Sequence, residues 1–213
     1  YPGAAKLTSD AEVASHRVIT EAVQAEGGRI CLQILHTGRY AYVPNNVSAS
    51  ALQAPINPFK PRELSDEDIE QTITDFARCA RLAQQAGYDG VEVMGSEGYL
   101  INQFTTLRTN QRDDKWGGDI EHRITLAERI VRAIRDVCGD EFLVIYRLSM
   151  IDLVEDGNTW DEIVLQARQL QAAGVNLLNT GIGWHEARVP TIVTSVPRAA
   201  FARVTERIRK EVS

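Results

Sequence analysis

Cysteine is scarce in this chain: three among 213 residues, with no Cys-x-x-Cys pair or other metal spacing. That excludes a disulfide framework and a thiolate metal site, and Cys31, Cys79 and Cys138 read as reduced structural thiols of a cytosolic protein. Long apolar runs are missing as well. None approaches the roughly 20 residues that a transmembrane helix needs, so no membrane partner is expected. Basic excess is absent: 23 Lys and Arg face 29 Asp and Glu, a formal net charge of -6 with a pI near 5.3. Such a chain offers no electrostatic footprint for nucleic acid or an anionic lipid surface. No secretory leader is visible, although the first residue is Tyr1 instead of Met. What is present is ordinary globular material, 44% hydrophobic, enough for one sizeable core.

Four apolar runs have strand character: "RICLQIL" (29–35), "GVEVM" (90–94), "FLVIYR" (142–147) and "VNLLNT" (175–180). Helical periodicity fills the intervals. A capping box, Ser65 with Asp68, opens a helix whose apolar positions Ile69, Ile73, Phe76, Ala80 and Ala83 share a face up to Gly87. Residues 120–137 place Ile124, Ala127, Ile130, Val131, Ile134 and Val137 on one face before Gly139. Residues 161–173 do the same with Ile163, Val164, Ala167 and Leu170 before Gly174. Two further helices are expected at about 10–25 and 197–210. This α-β alternation means parallel strands with right-handed crossovers. Long segments after the strands and short ones before them put function at the strands' C-terminal ends, in a (β/α)8 barrel or a doubly wound sheet alike. Four strands make half of a closed barrel, so the chain reads as one partial domain over residues 1–213.

Several polar residues sit where such a rim would be. Gln33 interrupts an apolar strand, and a buried amide without a partner costs about 1–3 kcal/mol. Either neighbouring backbone satisfies it or it is aimed at a polar ligand. Arg147 ends the third strand. A buried guanidinium needs an anionic partner, and Asp152 or Glu155 would provide one if the arginine is only structural. Glu97 and Tyr99 stand side by side in the glycine-bracketed turn "GSEGY" after the second strand; a phenol there is a proton donor if a neighbour polarises it. His185 follows the fourth strand, where a lone loop histidine is most often structural. "TLRTNQRDDKWGGDIEHR" (106–123) reads as a self-capped loop, with Gly117 and Gly118 making a bend and Asp119 capping the next helix. Arg108 is its exception, close enough in sequence to Tyr99 to meet an anionic substrate.

Together, "GVEVMGSEGYLINQF" and "RTNQRDDKWGGDIEHR" resemble the signature of the Old Yellow Enzyme family of FMN-dependent ene-reductases. "LQILHTGRY", "IYRLSM" and "NTGIGWHEARVPTI" are similar to its bacterial NADPH-dependent 2,4-dienoyl-CoA reductase branch. The resemblance runs the length of the chain. It implies a (β/α)8 TIM barrel, incomplete here, with FMN at the mouth. It gives Gln33 and Arg147 as cofactor-binding residues, the first at the flavin's pyrimidine edge and the second at N1/O2. It gives Tyr99 as the acid that protonates a substrate carbon, His185 as its assistant, and Arg108, Glu97 and Arg188 as substrate-side residues. Many ene-reductases carry His in place of Met94 and Asn or His in place of Glu97. Their absence here favours an acyl-CoA substrate over simple enones.

The same resemblance implies that FAD, NADPH and a 4Fe–4S cluster would be bound by regions outside these residues. The activity expected of the complete protein is reduction of 2,4-dienoyl-CoA in the β-oxidation of unsaturated fatty acids. Two alternatives stand beside it: reduction of another α,β-unsaturated compound, and an inert barrel fragment that self-associates.

Overall fold

The computed structural model describes residues 5–212. Its centre is a four-stranded parallel sheet of β1 (Cys31–Ile34), β4 (Gly90–Gly95), β5 (Leu143–Ile151) and β6 (Leu177–Ile182), in that spatial order. Two short strands, β2 (Val47–Ser48) and β3 (Arg62–Glu63), pair with each other in the long segment after β1. The helices are α1 (Asp10–Ala25), α2 (Asp66–Gln85), α3 (Leu100–Thr105), α4 (Ile120–Arg123), α5 (Thr125–Cys138), α6 (Trp160–Ala173) and α7 (Ala202–Ile208).

The sheet's two faces differ because side chains alternate along each strand. Ile34, Val91, Val93, Val144, Tyr146 and Leu148 are buried in one core with the apolar stripes of α2, α5 and α6. Each fully buried Val, Leu or Ile contributes about 1.5–3 kcal/mol. On the opposite face Gln33 and Leu177 are exposed, and Glu92, Ile145, Arg147 and Asn179 are half-buried. No described helix packs over that face. A doubly wound sheet carries helices on both faces, so the one-sided arrangement matches a barrel wall.

The capping chemistry holds where the sequence shows it. The Ser65 hydroxyl accepts the Asp68 amide at 3.2 Å and the Asp68 carboxylate accepts the Ser65 amide at 3.0 Å. Thr159 and Glu162 form the same box at the start of α6. Gly174 ends α6 in the left-handed region at φ 111°.

Four expectations need correction. The 120–137 helix is broken at Ile124 into α4 and α5, and Val137 is 43% exposed, off the buried face. Asp119 precedes α4, but its carbonyl, not its carboxylate, accepts the helix amides. The last helix is shorter than its 197–210 pattern. Sequence periodicity also gave no hint of α3, whose six residues are all buried and so show no amphipathic stripe.

Candidate active site at the strand ends

Loops from the C-terminal ends of β1, β4, β5 and β6 converge on one rim. After β4, Glu97 takes a positive φ of 63° and Gly98 one of 83°, and Tyr99 stands at the N-cap of α3. This tight turn points two side chains at neighbours from other strands. Arg147, on β5, donates from Nε (2.9 Å) and Nη2 (2.7 Å) to Glu97 Oε1. Tyr99 Oη lies 2.7 Å from His185 Nε2, the histidine arriving from the loop after β6. The rings of Tyr99 and His185 meet edge to face with centroids 5.0 Å apart, and Glu97 Oε2 stands 3.9 Å from the imidazole.

Burial, with a smaller contribution from the Glu97 carboxylate, raises the Tyr99 phenol above its ordinary value. Tyr99 therefore holds its proton at neutral pH. The phenolate left after donation is disfavoured by the same two causes, so the donor works only if its hydrogen-bonded neighbour shares the charge. His185 is placed to do so.

A second layer lies below. Gln33 Nε2 donates to Glu92 Oε2 at 2.6 Å and Asn179 Nδ2 donates to Glu92 Oε1 at 2.6 Å. Gln33 is thus exposed on the open face and bonded to a carboxylate. It is neither buried nor satisfied by backbone. Arg147 likewise pairs with Glu97, not with Asp152 or Glu155.

A third cluster holds the rim together. Glu186, with a 1% exposed side chain, accepts from Arg39 Nη2 (2.6 Å), Tyr40 Oη (2.9 Å) and Arg108 Nε (2.7 Å). The Arg39 guanidinium also lies 5.7 Å from the Trp184 ring centroid. Tyr40 stands edge-on to both Tyr99 and His185, each 6.0 Å away. Arg108 thereby bonds Glu186 and the Glu155 carbonyl. Arg188 is exposed and makes no hydrogen bond or ion pair among the described residues. The structure brings together Tyr99, His185, Glu97 and Arg147, sets Gln33 one layer below, and gives Arg188 no bond to any of them.

Asp152 completes the frame. Its buried carboxylate accepts from Trp184 Nε1 at 2.7 Å, the Ser149 hydroxyl at 2.6 Å and the Asn158 amide at 2.7 Å. Sequence reasoning missed Arg39, Tyr40, Glu92, Asn179 and Glu186 as site residues. The available signal was their position: each is a polar residue in a strand of the sheet or within six residues of its C-terminal end.

Among the described residues no group of His, Cys, Asp and Glu is arranged to hold a metal ion, and no helix is long and apolar enough to cross a membrane.

Comparison with known proteins gives a consistent neighbourhood. The sequence profile of the NADH:flavin oxidoreductase / NADH oxidase family matches residues 1–213. A metal reductase of Desulforamulus reducens is 36% identical over 216 residues, covering 99% of this chain and 32% of the relative. An NADPH dehydrogenase of a Geobacillus species is 34% identical over 210 residues, covering 97% of this chain and 59% of the relative. A solved complex of 2-naphthoyl-CoA reductase with 2-naphthoyl-CoA superposes with a TM-score of 0.93 at 30% identity, covering 99% of this chain and 34% of that one. An old yellow enzyme homologue from Zymomonas mobilis superposes with a TM-score of 0.83 at 29% identity, covering all of this chain and 62% of that one. The chain thus spans about a third of the metal reductase and of the naphthoyl-CoA reductase.

Proposed function

The chain belongs to the NADH:flavin oxidoreductase / NADH oxidase family, and on that premise we propose that it is the central wall of an FMN-binding TIM barrel in an NADPH-dependent reductase of 2,4-dienoyl-CoA. The observation that carries the reading is the Tyr99–His185 pair at 2.7 Å beside the Glu97–Arg147 ion pair. A phenol, an imidazole and a guanidinium gather at the mouth of a one-sided parallel sheet, where this fold performs chemistry.

The residues present fit FMN. Gln33 offers an amide to the flavin's pyrimidine edge. Arg147 retains Nη1 as a donor without a partner among the described residues, suited to negative charge at N1 and O2. When bound, FMN supplies the hydride and NADPH replenishes its electrons. The chain's own contribution is the proton: Tyr99 transfers it from Oη to a carbon of the conjugated system, and His185 shares the charge left on the phenol oxygen. Glu97 holds Arg147 and the turn that presents Tyr99. FAD and a 4Fe–4S cluster belong, in this reading, to parts of the full-length protein beyond these residues. Likeness to the naphthoyl-CoA reductase complex supports a CoA thioester substrate, and Met94 and Glu97 weigh against small enones.

The test uses the full-length protein. Tyr99→Phe is expected to slow dienoyl-CoA reduction by about 10²–10⁴-fold while leaving flavin reduction by NADPH unchanged. Equal losses in both half-reactions would make Tyr99 a shaping residue. Faster turnover of a simple enone than of a dienoyl-CoA would move the assignment to a general ene-reductase.

A further inference from the structure

We propose that Glu92, fixed in place by Asn179, is a positioning residue that decides which end of the Gln33 amide faces the cofactor; this rests on the FMN reading above. A carboxylate can only accept hydrogen bonds, whereas a primary amide donates from nitrogen and accepts at oxygen. Glu92 is the direct cross-strand partner of Gln33 in the β1–β4 register, and its Oε2 takes the Gln33 Nε2 donor at 2.6 Å. That bond commits nitrogen to Glu92 and turns Gln33 Oε1 away from it as a free acceptor. The other carboxylate oxygen is occupied by Asn179 Nδ2, also at 2.6 Å, from β6. Both contacts have the length of charge-assisted bonds. They tie β1, β4 and β6 together across the open face, and the carboxylate cannot rotate without breaking one of them.

The polarity matters because the flavin's pyrimidine edge carries one imide N–H. Opposite that N–H, which lies between two carbonyl oxygens, a carbonyl oxygen at position 33 accepts the proton, whereas an amide nitrogen would oppose donor to donor. With Glu92 in place one of the two Nε2 hydrogens is spent on the carboxylate and Oε1 is the end of the amide turned away from it. With a glutamine at 92, either amide orientation at Gln33 finds a partner and the selection is lost.

The experiment is a double-mutant cycle on FMN dissociation from the full-length apoprotein, read by quenching of flavin fluorescence and needing no turnover. Gln33→Ala is expected to weaken FMN about tenfold, the worth of one hydrogen bond, and Glu92→Gln about twofold, because an amide free to take either orientation is competent about half the time. The double variant is expected to be no weaker than Gln33→Ala alone, because without the amide Glu92 has nothing to orient. Glu92→Asp, which keeps the charge but shortens its reach, is expected to show the same loss as Glu92→Gln and stands in should that variant fail to fold. If Gln33→Ala weakens FMN while the Glu92 variants do not, or if the two losses add, the positioning role is overturned and the cofactor reading stands. If Gln33→Ala leaves FMN affinity unchanged, the placement of Gln33 at the cofactor fails and the inference falls with it.

Discussion

Gly98 sits at φ 83°, where an added Cβ would stand 2.6 Å from Tyr40 Oη and 2.7 Å from Trp184 Cε3. Both the backbone angle and the space demand glycine. Its neighbour Glu97 has no such excuse: a non-glycine residue in the left-handed region is uncommon, and here it coincides with the carboxylate that grips Arg147. Gly98→Ala is therefore expected to destabilise the protein by about 1–3 kcal/mol and to push Tyr40 off Tyr99. Thermal unfolding measures the first effect. The distance between the Tyr40 and Tyr99 rings, 6.0 Å here, in a crystal structure of the variant measures the second, and an unmoved pair with an unchanged melting point would refute it. At this scale the sequence was only half legible. Tyr99, His185, Glu97 and Arg147 stand out as polar residues at strand ends, but their pairing does not. Arg147 reaches its partner across 50 residues of chain, and nothing local prefers Glu97 over Asp152 or Glu155. The pairing of Arg108 is hidden for the same reason. Its anion is Glu186, 78 residues away.

The Glu186 clasp belongs to the elements, since it joins the loops after β1 and β6 to the segment following α3. Glu186 and Arg39 have side chains only 1% and 4% exposed. Removing one partner of such a pair leaves the other charge buried and uncompensated, which typically costs about 3–5 kcal/mol. Glu186→Gln is expected to lower unfolding stability by that order. Arg108→Ala, at a 26% exposed position, should cost much less because water reaches the site. Chemical denaturation of the two variants decides; equal losses would mean that Arg39 does not depend on Glu186. Elements were more legible than residues. The three helices with amphipathic stripes and glycine stops, and the four sheet strands, lie close to where periodicity puts them. The failures have physical causes. α3 is buried all round, and the residue before it, Tyr99, makes no side-chain capping bond. β2 and β3 are two residues each, too short for any period to register.

For the whole molecule, the sheet is open at both sides among the described residues: β1 and β6 each pair with one neighbour. Beside β1 lies a cavity of about 490 Å³, lined in part by Leu7, Leu32, Ile34 and Phe76. On the other side Leu177 is 49% exposed. Unpaired edges with apolar surroundings favour pairing with another copy. Expressed by itself, the 213-residue chain is expected to self-associate and to bind FMN weakly, because a closed barrel has no edges and holds its phosphate on its last strands. Light scattering checks the first and flavin retention after desalting the second. A monodisperse species of the chain's own 23.7 kDa, retaining one flavin, would contradict both.

The parallel register also sets an order of assembly. β1 meets β4 at Cys31 and Gly90, 59 residues apart, and β4 meets β5 at Gly90 and Leu143, 53 apart. β5 meets β6 at Ile145 and Leu177, only 32 apart. Closing the first of these loops costs about 0.5 kcal/mol more in chain entropy than closing the last. β1 is also the shortest strand of the sheet, at four residues, while β5 has nine. The wall should therefore zip from the β5–β6 side, and β1 should dock last and detach first. Native-state hydrogen exchange would read this as amides of Cys31–Ile34 opening well before those of Val144–Leu148. Gln33 would then enter its place only after Glu92 is already seated, so its amide is the last piece of the lower layer to be set.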